Sequence, residues 1–308
     1  MKIVLLDALT FGDTSLTEFN TLGEVSVYQT TTTSQTQQRI EDANIVVTNK
    51  VVITKEMMQN TPTLKLICVA ATGMNNVDLV AAKELGIEVK NVAGYSTNSV
   101  IQHTFSMLFY LIGHSRYYDE VVKSGEYAKS AIFTDVSQPF FEVSGKKWGI
   151  IGLGAIGRGI ANIVQSFGAD VSYYSTSGIE REEPFNKVSL EELLKQSNII
   201  SIHAPLNEQT QDLLNYEKLQ LCKESAVVLN LGRGGIINEE AVAKIIDEKK
   251  GMMFGLDVLT QEPIRENHPL LKITNKQNLY ITPHIAWTSQ EARTTLIASV
   301  VQNIKTFI

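Results

Sequence analysis

The sequence predicts an α/β protein of two domains, each built on a parallel β-sheet with helices on its faces. Three observations support this fold class. Short apolar segments typical of buried strands alternate with helical patterns along most of the chain. A glycine-rich turn, Gly152-x-Gly154-x-x-Gly157, stands between one such strand and one such helix. The 308 residues exceed the usual size of one domain.

Composition excludes several classes of protein. The 44% of hydrophobic residues and 19% of charged residues are typical of a globular chain. A net charge of −6 without a cluster of basic residues argues against nucleic-acid binding. Cys68 and Cys222 lie beside apolar residues, so we expect core positions in a reducing compartment and no metal site. No apolar run approaches the ~20 residues of a membrane span, so we expect a cytoplasmic protein without membrane contact.

The first domain is predicted from five strand-like segments. They cover residues 2–8, 24–29, 44–50, 64–70 and 87–92. A polar run, 30–38, is predicted as a loop that enters a helix ending near Glu41, and a second helical pattern at 77–85 is closed by Gly86. Five short parallel strands with helices between them suit a small flavodoxin-like domain.

A long helical pattern at 98–123 is predicted to bridge into the second domain, and an irregular loop at 129–143 follows it. Six strand-like segments then cover residues 147–153, 170–175, 198–203, 226–231, 252–258 and 279–282. Six parallel strands with helices between them are typical of the doubly wound, Rossmann-type dinucleotide-binding architecture. The last helical segment, from Thr288 onward, has no place in that sheet, and we expect it to return to the first domain.

The glycine turn predicts where a dinucleotide binds. In such a unit the first glycine allows a tight turn, the second lets a pyrophosphate approach the backbone, and the third permits close packing of helix on strand. The N-terminus of the helix adds free N–H groups. A glycine-rich turn without a ligand is the alternative, but strand, spacing and helix agree here and favour dinucleotide binding.

Four polar residues near the ends of apolar strands are the catalytic candidates, because ligands bind outside the carboxyl ends of parallel strands. They are Arg233, Asp257, Glu262 and His284. Histidine exchanges a proton near neutral pH, a carboxylate beside it favours the protonated imidazole, and a guanidinium holds a substrate carboxylate through two donors. The alternatives are a histidine that only binds backbone, an arginine that only binds cofactor phosphates, and a glutamate in a loop ion pair.

Four ordered motifs carry a family resemblance. Gly152-x-Gly154-x-x-Gly157, Asn230-Leu-Gly-Arg233-Gly-Gly, Asp257-Val-Leu-Thr-Gln-Glu262-Pro and Thr282-Pro-His284-Ile resemble the D-isomer-specific 2-hydroxyacid dehydrogenases. The resemblance covers nearly the whole chain. It implies that His284 is the acid/base, Glu262 its partner, Arg233 the substrate anchor and Asp257 a contact to the nicotinamide end of the cofactor.

The resemblance also implies the domain plan. A flavodoxin-like substrate domain is built from both termini, 1–98 and 285–308, and a dinucleotide-binding Rossmann domain covers 99–284. A homodimer through the latter domain is a family expectation. The expected cofactor-binding residues are Gly152, Gly154, Ala155, Ile156, Gly157, Ser175, Thr176, His203, Ala204, Pro205, Leu231, Gly232, Asp257 and His284. The expected substrate-binding residues are Thr72, Gly73, Met74, Asn75, Arg233 and Trp287.

Local structure offers other interpretations of some of these positions. Asn75 or Asn76 is also suited to cap the helix expected to begin near Val77. The segment Thr288-Ser-Gln-Glu291, beside Trp287, has the sequence pattern of a helix capping box. His103 lies on the bridging helix, whereas His114 and His268 have no motif around them and are expected to be surface or core histidines.

The position expected to bind the ribose departs from the NAD pattern. An NAD site carries Asp or Glu roughly 20 residues beyond the glycines, but Ser175 stands there, followed by Thr176 and Ser177. These hydroxyls suit a 2′-phosphate, with charge from Arg158 or Arg181, and we favour acceptance of NADP beside NAD. A relaxed NAD site, or one that uses Glu180, is the alternative.

The predicted reaction is hydride transfer between NAD(P)H and a small 2-oxo acid to give a D-2-hydroxy acid. Short segments such as Gln102-His-Thr-Phe and Pro283-His-Ile-Ala-Trp287 resemble the glycerate dehydrogenase and hydroxypyruvate/glyoxylate reductase branch of this family. Hydroxypyruvate or glyoxylate is therefore the expected substrate. Glu262 argues against a formate dehydrogenase, in which a glutamine is expected at this position. A catalytically weak, NAD(H)-sensing binding protein of the same fold is the alternative from another class.

Overall fold

The computed structural model describes residues 1–179, 182–248 and 251–308. The chain divides into two units. Unit 1 comprises Met1–Ser96 and Trp287–Ile308, and unit 2 comprises Thr97–Ala286. The boundaries predicted at 98/99 and 284/285 each differ from these by two residues. Within the described ranges, no helix is long and apolar enough to cross a membrane.

Unit 1 contains a five-stranded parallel sheet, with elements numbered in chain order. Its strands are β1 (Lys2–Leu5), β2 (Glu24–Val27), β3 (Ile45–Thr48), β4 (Leu66–Val69) and β5 (Glu88–Lys90). Their spatial order is β2-β1-β3-β4-β5, which is the flavodoxin-like order. Its helices are α1 (Thr33–Ile40), α2 (Lys55–Gln59), α3 (Leu79–Glu84) and α10 (Gln290–Lys305).

Both faces of this sheet are buried, which explains why its inner strands are continuous apolar runs. Every residue of β3 and β4 is buried. Helix α10 packs on one face with Leu296, Val300 and Ile304, so the last helical segment returns to the first sheet. Cys68 lies in β4 and is buried, and burial raises the pKa of its thiol to about 12, which makes it a core residue without reactivity.

Unit 2 contains a parallel sheet with the doubly wound order. Its strands, in the described part of the unit, are β6 (Lys147–Ile151), β7 (Asp170–Tyr174), β8 (Asn186–Lys187), β9 (Ile199–Ile202), β10 (Val227–Asn230), β11 (Met253–Leu256) and β12 (Leu279–Ile281). The spatial order β8-β7-β6-β9-β10-β11-β12 reverses direction between β6 and β9. The six predicted strands are present. Strand β8 was missed because its two residues are polar and exposed at the sheet edge.

The helices of unit 2 correct one prediction. They are α4 (Thr97–Ile112), α5 (Ser115–Lys123), α6 (Ala155–Ser166), α7 (Leu190–Gln196), α8 (Tyr216–Gln220) and α9 (Glu239–Glu248). The single helix predicted at 98–123 is wrong, because the chain breaks at Gly113 and His114 between α4 and α5. His114 adopts a left-handed conformation with φ of 46°, which no α-helix accommodates.

Two predicted helix caps are also wrong. Helix α3 is capped by Asp78, whose carboxylate accepts the Ala81 N–H at 3.0 Å, so neither Asn75 nor Asn76 caps it. The helix begins two residues later than the apolar pattern suggested. Helix α10 is capped by Ser289, whose Oγ accepts the Ala292 N–H at 3.1 Å, so the cap is one residue beyond the predicted Thr288.

Candidate active site

In the glycine turn after β6, two glycines are required by packing and the third leaves the N-terminus of α6 open. Gly152 has φ of +92°, and a Cβ there would lie 2.9 Å from the Ala204 nitrogen. A Cβ on Gly157 would lie 2.4 Å from the Gly152 carbonyl oxygen. Both glycines are therefore required by packing. Gly154 caps α6, and no described atom lies within 4 Å of the place of its Cβ, so its backbone faces open space at the helix N-terminus before Ala155 and Ile156.

The ends of the neighbouring strands surround this turn. The Gly152 N–H donates to the Tyr174 carbonyl at 3.0 Å, which places Ser175 and Thr176 beside the turn. On the other side, a Cβ on Gly232 would lie 2.8 Å from the Ala204 carbonyl oxygen. Three other predicted cofactor residues also follow β9 or β10 at this edge: His203, Pro205 and Leu231. This edge includes the point where the strand order reverses, at which open parallel sheets bind their ligands.

His203 supplies a test of whether a cofactor fits this edge. Both of its ring nitrogens are buried, and neither has a hydrogen-bond partner among the described residues. Burial lowers the pKa of His203 to about 3, so the ring is neutral. An unsatisfied buried polar group costs about 1–3 kcal/mol, which a bound polar ligand would offset. Together with the open backbone at Gly154, His203 fits a dinucleotide.

Hydroxyl groups and an ion pair lie where the sequence predicts the binding site of the cofactor ribose. The Ser175 and Ser177 hydroxyl oxygens lie 3.5 Å apart after β7. The Arg158 guanidinium donates to the Glu183 carboxylate at 2.8 Å through Nε and at 2.7 Å through a terminal nitrogen. The charge predicted for Arg158 is therefore balanced by Glu183, which the sequence reasoning did not consider. Arg181 and Glu180, also considered for this site, lie outside the described residues.

Glu262 and His284 form the pair predicted for acid/base chemistry. His284 Nδ1 lies 2.7 Å from Glu262 Oε2, and Glu262 Oε1 accepts the Leu259 N–H at 3.0 Å. An ionised carboxylate only accepts hydrogen bonds, so Nδ1 carries a proton and Nε2 is the nitrogen left for proton transfer. The two side chains are 22% and 34% exposed, so a substrate can reach the pair.

Asp257 fixes the backbone that carries His284. Its carboxylate accepts the N–H groups of Ile285 at 2.8 Å and Ala286 at 3.0 Å, together with the Thr282 hydroxyl at 2.6 Å. The Asp257 carbonyl also accepts the His284 N–H at 2.9 Å. His284 has φ of 54°, an uncommon left-handed conformation that these bonds maintain. Asp257 thus anchors the histidine loop, and its contact with the nicotinamide stays a prediction.

His103 joins this network, which the sequence reasoning missed. Its Nε2 lies 3.1 Å from the Thr282 hydroxyl and 3.6 Å from the Asp257 carboxylate. Burial lowers the pKa of His103, although the charge of Asp257 opposes this shift. The sequence contained one indication of this contact. His103 lies on α4 near the buried residues Thr104 and Met107, and a polar side chain near a buried helix face requires a hydrogen-bond partner.

The loop of Arg233 is held by the last residue of β10. Asn230 accepts the Gly232 N–H at 3.1 Å and donates to the Arg233 carbonyl at 2.9 Å. The Arg233 guanidinium donates to the Gly232 carbonyl at 2.8 Å. A Cβ on Gly234 would lie 2.0 Å from the Leu259 carbonyl oxygen, so this loop packs directly on the segment that leads to Glu262.

Comparison with known proteins decides the family. Residues 105–286, more than half of the chain, match the model of the D-isomer specific 2-hydroxyacid dehydrogenase NAD binding domain. The chain belongs to the D-isomer-specific 2-hydroxyacid dehydrogenases. A hydroxypyruvate reductase of Blautia hydrogenotrophica is 36% identical over 100% of this chain and 97% of its own. A glycerate dehydrogenase of Methylorubrum extorquens is 34% identical over 100% and 96%.

A solved structure shares this fold over the whole chain. An acyclic imino acid reductase in complex with NADPH and D-Arg has a TM-score of 0.86 and 27% identity, covering 100% of this chain and 97% of the other. This D-2-hydroxyacid dehydrogenase is accordingly an NAD(P)-dependent oxidoreductase that reduces 2-oxo acids. The sequence reasoning is confirmed on family, fold and reaction class.

The segment predicted to bind the substrate lies in unit 1. Thr72, Gly73, Met74 and Asn75 follow β4 directly, and the Thr72 hydroxyl donates to the Val92 carbonyl at 3.2 Å. Trp287 packs edge-on against Tyr95, with ring centroids 6.2 Å apart. Arg233, Glu262 and His284 belong to unit 2. The substrate contacts of these unit 1 residues stay predictions.

Proposed function

We propose that the enzyme reduces hydroxypyruvate or glyoxylate to the corresponding 2-hydroxy acid, with His284 as the proton donor. The observation that carries the proposal is the 2.7 Å contact between His284 Nδ1 and Glu262 Oε2. It explains how a histidine in a loop is oriented with Nε2 free to face a carbonyl oxygen. The names of the two relatives, hydroxypyruvate reductase and glycerate dehydrogenase, support a small 2-oxo acid as the substrate.

The proposed mechanism assigns one task to each residue. Arg233 holds the substrate carboxylate through charge-assisted hydrogen bonds. The reduced nicotinamide, when bound, supplies the hydride that forms the new C–H bond. His284 Nε2 gives its proton to the carbonyl oxygen, which forms the O–H bond and leaves a neutral imidazole. Glu262 stabilises the imidazolium before that transfer.

A panel of 2-oxo acids tests the proposal. Glyoxylate, hydroxypyruvate, pyruvate and 2-oxoisocaproate are each assayed with NADH and with NADPH, and the purified product is resolved on a chiral column. We expect the highest kcat/KM with glyoxylate or hydroxypyruvate, and D-glycerate from the latter. A higher kcat/KM with the branched acid contradicts the substrate assignment. Tight NADH binding without turnover of any acid favours the sensing protein.

We also propose that the site accepts NADPH as well as NADH. Ser175 and Ser177 offer hydroxyl donors where an NAD-specific site carries a carboxylate that would repel a 2′-phosphate. The ion pair of Arg158 with Glu183 limits the positive charge available to that phosphate. Comparison of kcat/KM for the two cofactors tests this, and a preference for NADH above about 100-fold contradicts it.

A homodimer through unit 2 is the proposed assembly. The irregular segment 129–143 exposes large apolar side chains, with Phe133 89% exposed, Val136 75% and Phe140 68%. A segment with such side chains is typical of a surface that a second subunit covers. The cytoplasmic location expected from the sequence stays a prediction.

A further inference from the structure

A second histidine–glutamate pair lies in unit 2, apart from the proton-transfer pair. His268 Nε2 is 2.9 Å from Glu239 Oε2, and the two side chains are only 15% and 10% exposed. Glu239 is the first residue of α9. His268 lies in the loop that leads from β11 to β12, which is also the loop that carries Glu262. Both side chains are therefore largely shielded from solvent beside the loop that carries Glu262.

Glu239 binds this loop at two places. Its Oε1 accepts the backbone N–H of Thr260 at 2.5 Å and the Thr260 hydroxyl at 2.8 Å, while Oε2 faces His268. Because the carboxylate only accepts, His268 Nε2 carries the proton of that bond. His268 Nδ1 accepts the Leu270 N–H at 3.3 Å, so both ring nitrogens are used by the neutral form of the imidazole.

Glu262 lies between these two attachment points. Its Oε1 accepts the N–H of Leu259, the residue directly before Thr260, and its Oε2 faces His284. Gly234 packs against the Leu259 carbonyl from the side of the Arg233 loop. At the far end of the loop, Leu270 is 2% exposed and belongs to the core of unit 2. The loop is thus fixed at both ends, with the catalytic carboxylate between them.

We propose that Glu239 and His268 are positioning residues that fix Glu262 against His284. This inference rests on the proposed role of His284 and Glu262. Neither residue touches the reacting atoms, and the pair acts by setting where the Glu262 carboxylate lies. A displacement of about 1 Å in a catalytic group can cost up to about 100-fold in rate. The substrate carboxylate is held elsewhere, so the expected effect is on kcat and not on KM.

The experiment compares four single variants of the intact enzyme with the wild type, and adds Glu262→Gln alone and combined with Glu239→Gln. Glu239→Gln and His268→Leu each remove the charge-assisted bond, whereas His268→Gln retains one donor and one acceptor. Glu240→Gln is the matched control, because Glu240 is the next residue of α9, loses the same charge and is exposed. The measurements are kcat, KM for the 2-oxo acid, the pH profile of reduction and the thermal unfolding temperature.

We expect Glu239→Gln and His268→Leu to lower kcat about 10-fold, with KM within about twofold of the wild type. Both variants also change the pH profile of reduction in the same way as Glu262→Gln, measured in parallel. His268→Gln recovers most of kcat, and Glu240→Gln matches the wild type. In a Glu262→Gln background, Glu239→Gln lowers kcat by less than about twofold further, because its effect passes through Glu262.

Three results overturn the proposal. Unchanged kcat and pH profile in Glu239→Gln, with or without a lower unfolding temperature, leave the pair with a stabilising role only. Full additivity of Glu239→Gln and Glu262→Gln shows that the pair does not act through Glu262. A higher KM without a change in kcat contradicts the positioning role. If His284→Ala itself retains turnover, the proposed role of His284 has failed instead.

Discussion

Glu262 Oε2 and His284 Nδ1 lie 2.7 Å apart, although 22 residues separate them in the chain. Because an ionised carboxylate only accepts, Nδ1 carries the proton of this bond, and Nε2 is the nitrogen available for the proposed proton transfer. The histidine backbone is left-handed, and the hydrogen bonds of Asp257 hold it there. His284, the proposed acid/base group, is therefore oriented through its side chain by the Glu262 carboxylate and through its backbone by that of Asp257.

Replacement of His284 by Ala should lower kcat for reduction by about 10²- to 10⁴-fold, because the carbonyl oxygen loses its proton donor. Glu262→Gln should have a smaller effect, since the amide oxygen can still accept from Nδ1 but lacks the charge that stabilises the imidazolium. Steady-state kinetics from about pH 5 to about pH 9 measure both. NADH binding, followed by its fluorescence, should survive in each variant. Turnover of His284→Ala within about threefold of the wild type contradicts the assignment.

Substitution of one glycine of the turn should lower stability, and substitution of another should weaken cofactor binding. Gly157→Ala places a Cβ 2.4 Å from a carbonyl oxygen and should lower the free energy of unfolding by about 1–3 kcal/mol. Gly154→Ala meets no described atom, so stability should change by less than about 1 kcal/mol while NADH affinity falls. Urea unfolding and NADH titration measure the two effects. An unchanged affinity in Gly154→Ala contradicts the placement of the pyrophosphate.

Replacement of Glu183 by Gln should increase the use of NADPH. The change removes the charge that balances Arg158, so the guanidinium becomes available to a 2′-phosphate. We expect the ratio of kcat/KM for NADPH to that for NADH to rise about 3- to 10-fold, a modest effect because Arg158 is 40% exposed. Glu182→Gln, on the adjacent exposed glutamate, is the control. Equal ratios in both variants would show that Arg158 does not face the ribose.

Acid should destabilise the cofactor-free protein partly through His203. The pKa of a histidine is 6.5 in an unfolded chain, whereas that of His203 is about 3 in the fold, so the unfolded chain binds more protons between these values. Stability is therefore lost as the pH falls below 6.5, by up to about 1.4 kcal/mol per pH unit. Urea unfolding at about pH 7.5 and about pH 5.5 should show a loss about 1 kcal/mol larger in the wild type than in His203→Gln. Equal losses in the two proteins contradict a buried, neutral His203.

Charge on the exposed apolar segment should prevent dimer formation. Phe133→Asp combined with Phe140→Asp places two carboxylates on the surface proposed to contact the partner. Light scattering after gel filtration should give a dimer for the wild type and a monomer for the double variant. Val80→Asp, on a 71% exposed residue of unit 1, is the control. A wild-type monomer at micromolar concentration, or a double variant that remains dimeric, contradicts the proposed interface.

The sequence predicted the strands well because each inner strand is buried on both faces and so reads as a continuous apolar run. The same reasoning missed β8, since its residues, Asn186 and Lys187, are exposed at an edge and carry no apolar pattern. It also merged α4 and α5, because the apolar period continues past the left-handed His114. Helix caps were misplaced by one to three residues, since several adjacent polar side chains are equally suited to cap.

By itself the sequence determined the two-domain α/β fold, the glycine turn and the order of the four motifs, because these depend on local periodicity and on residues adjacent in the chain. Only the tertiary structure decided which distant side chains meet. The pairs Glu262–His284, Arg158–Glu183 and Glu239–His268, and the contact of His103 with Thr282, join residues from different elements. Glu262 was expected beside His284 from the family resemblance, and the structure supplied the distance between them. The other three contacts depend on strand order and loop path, which leave no signal in the spacing of residues along one chain.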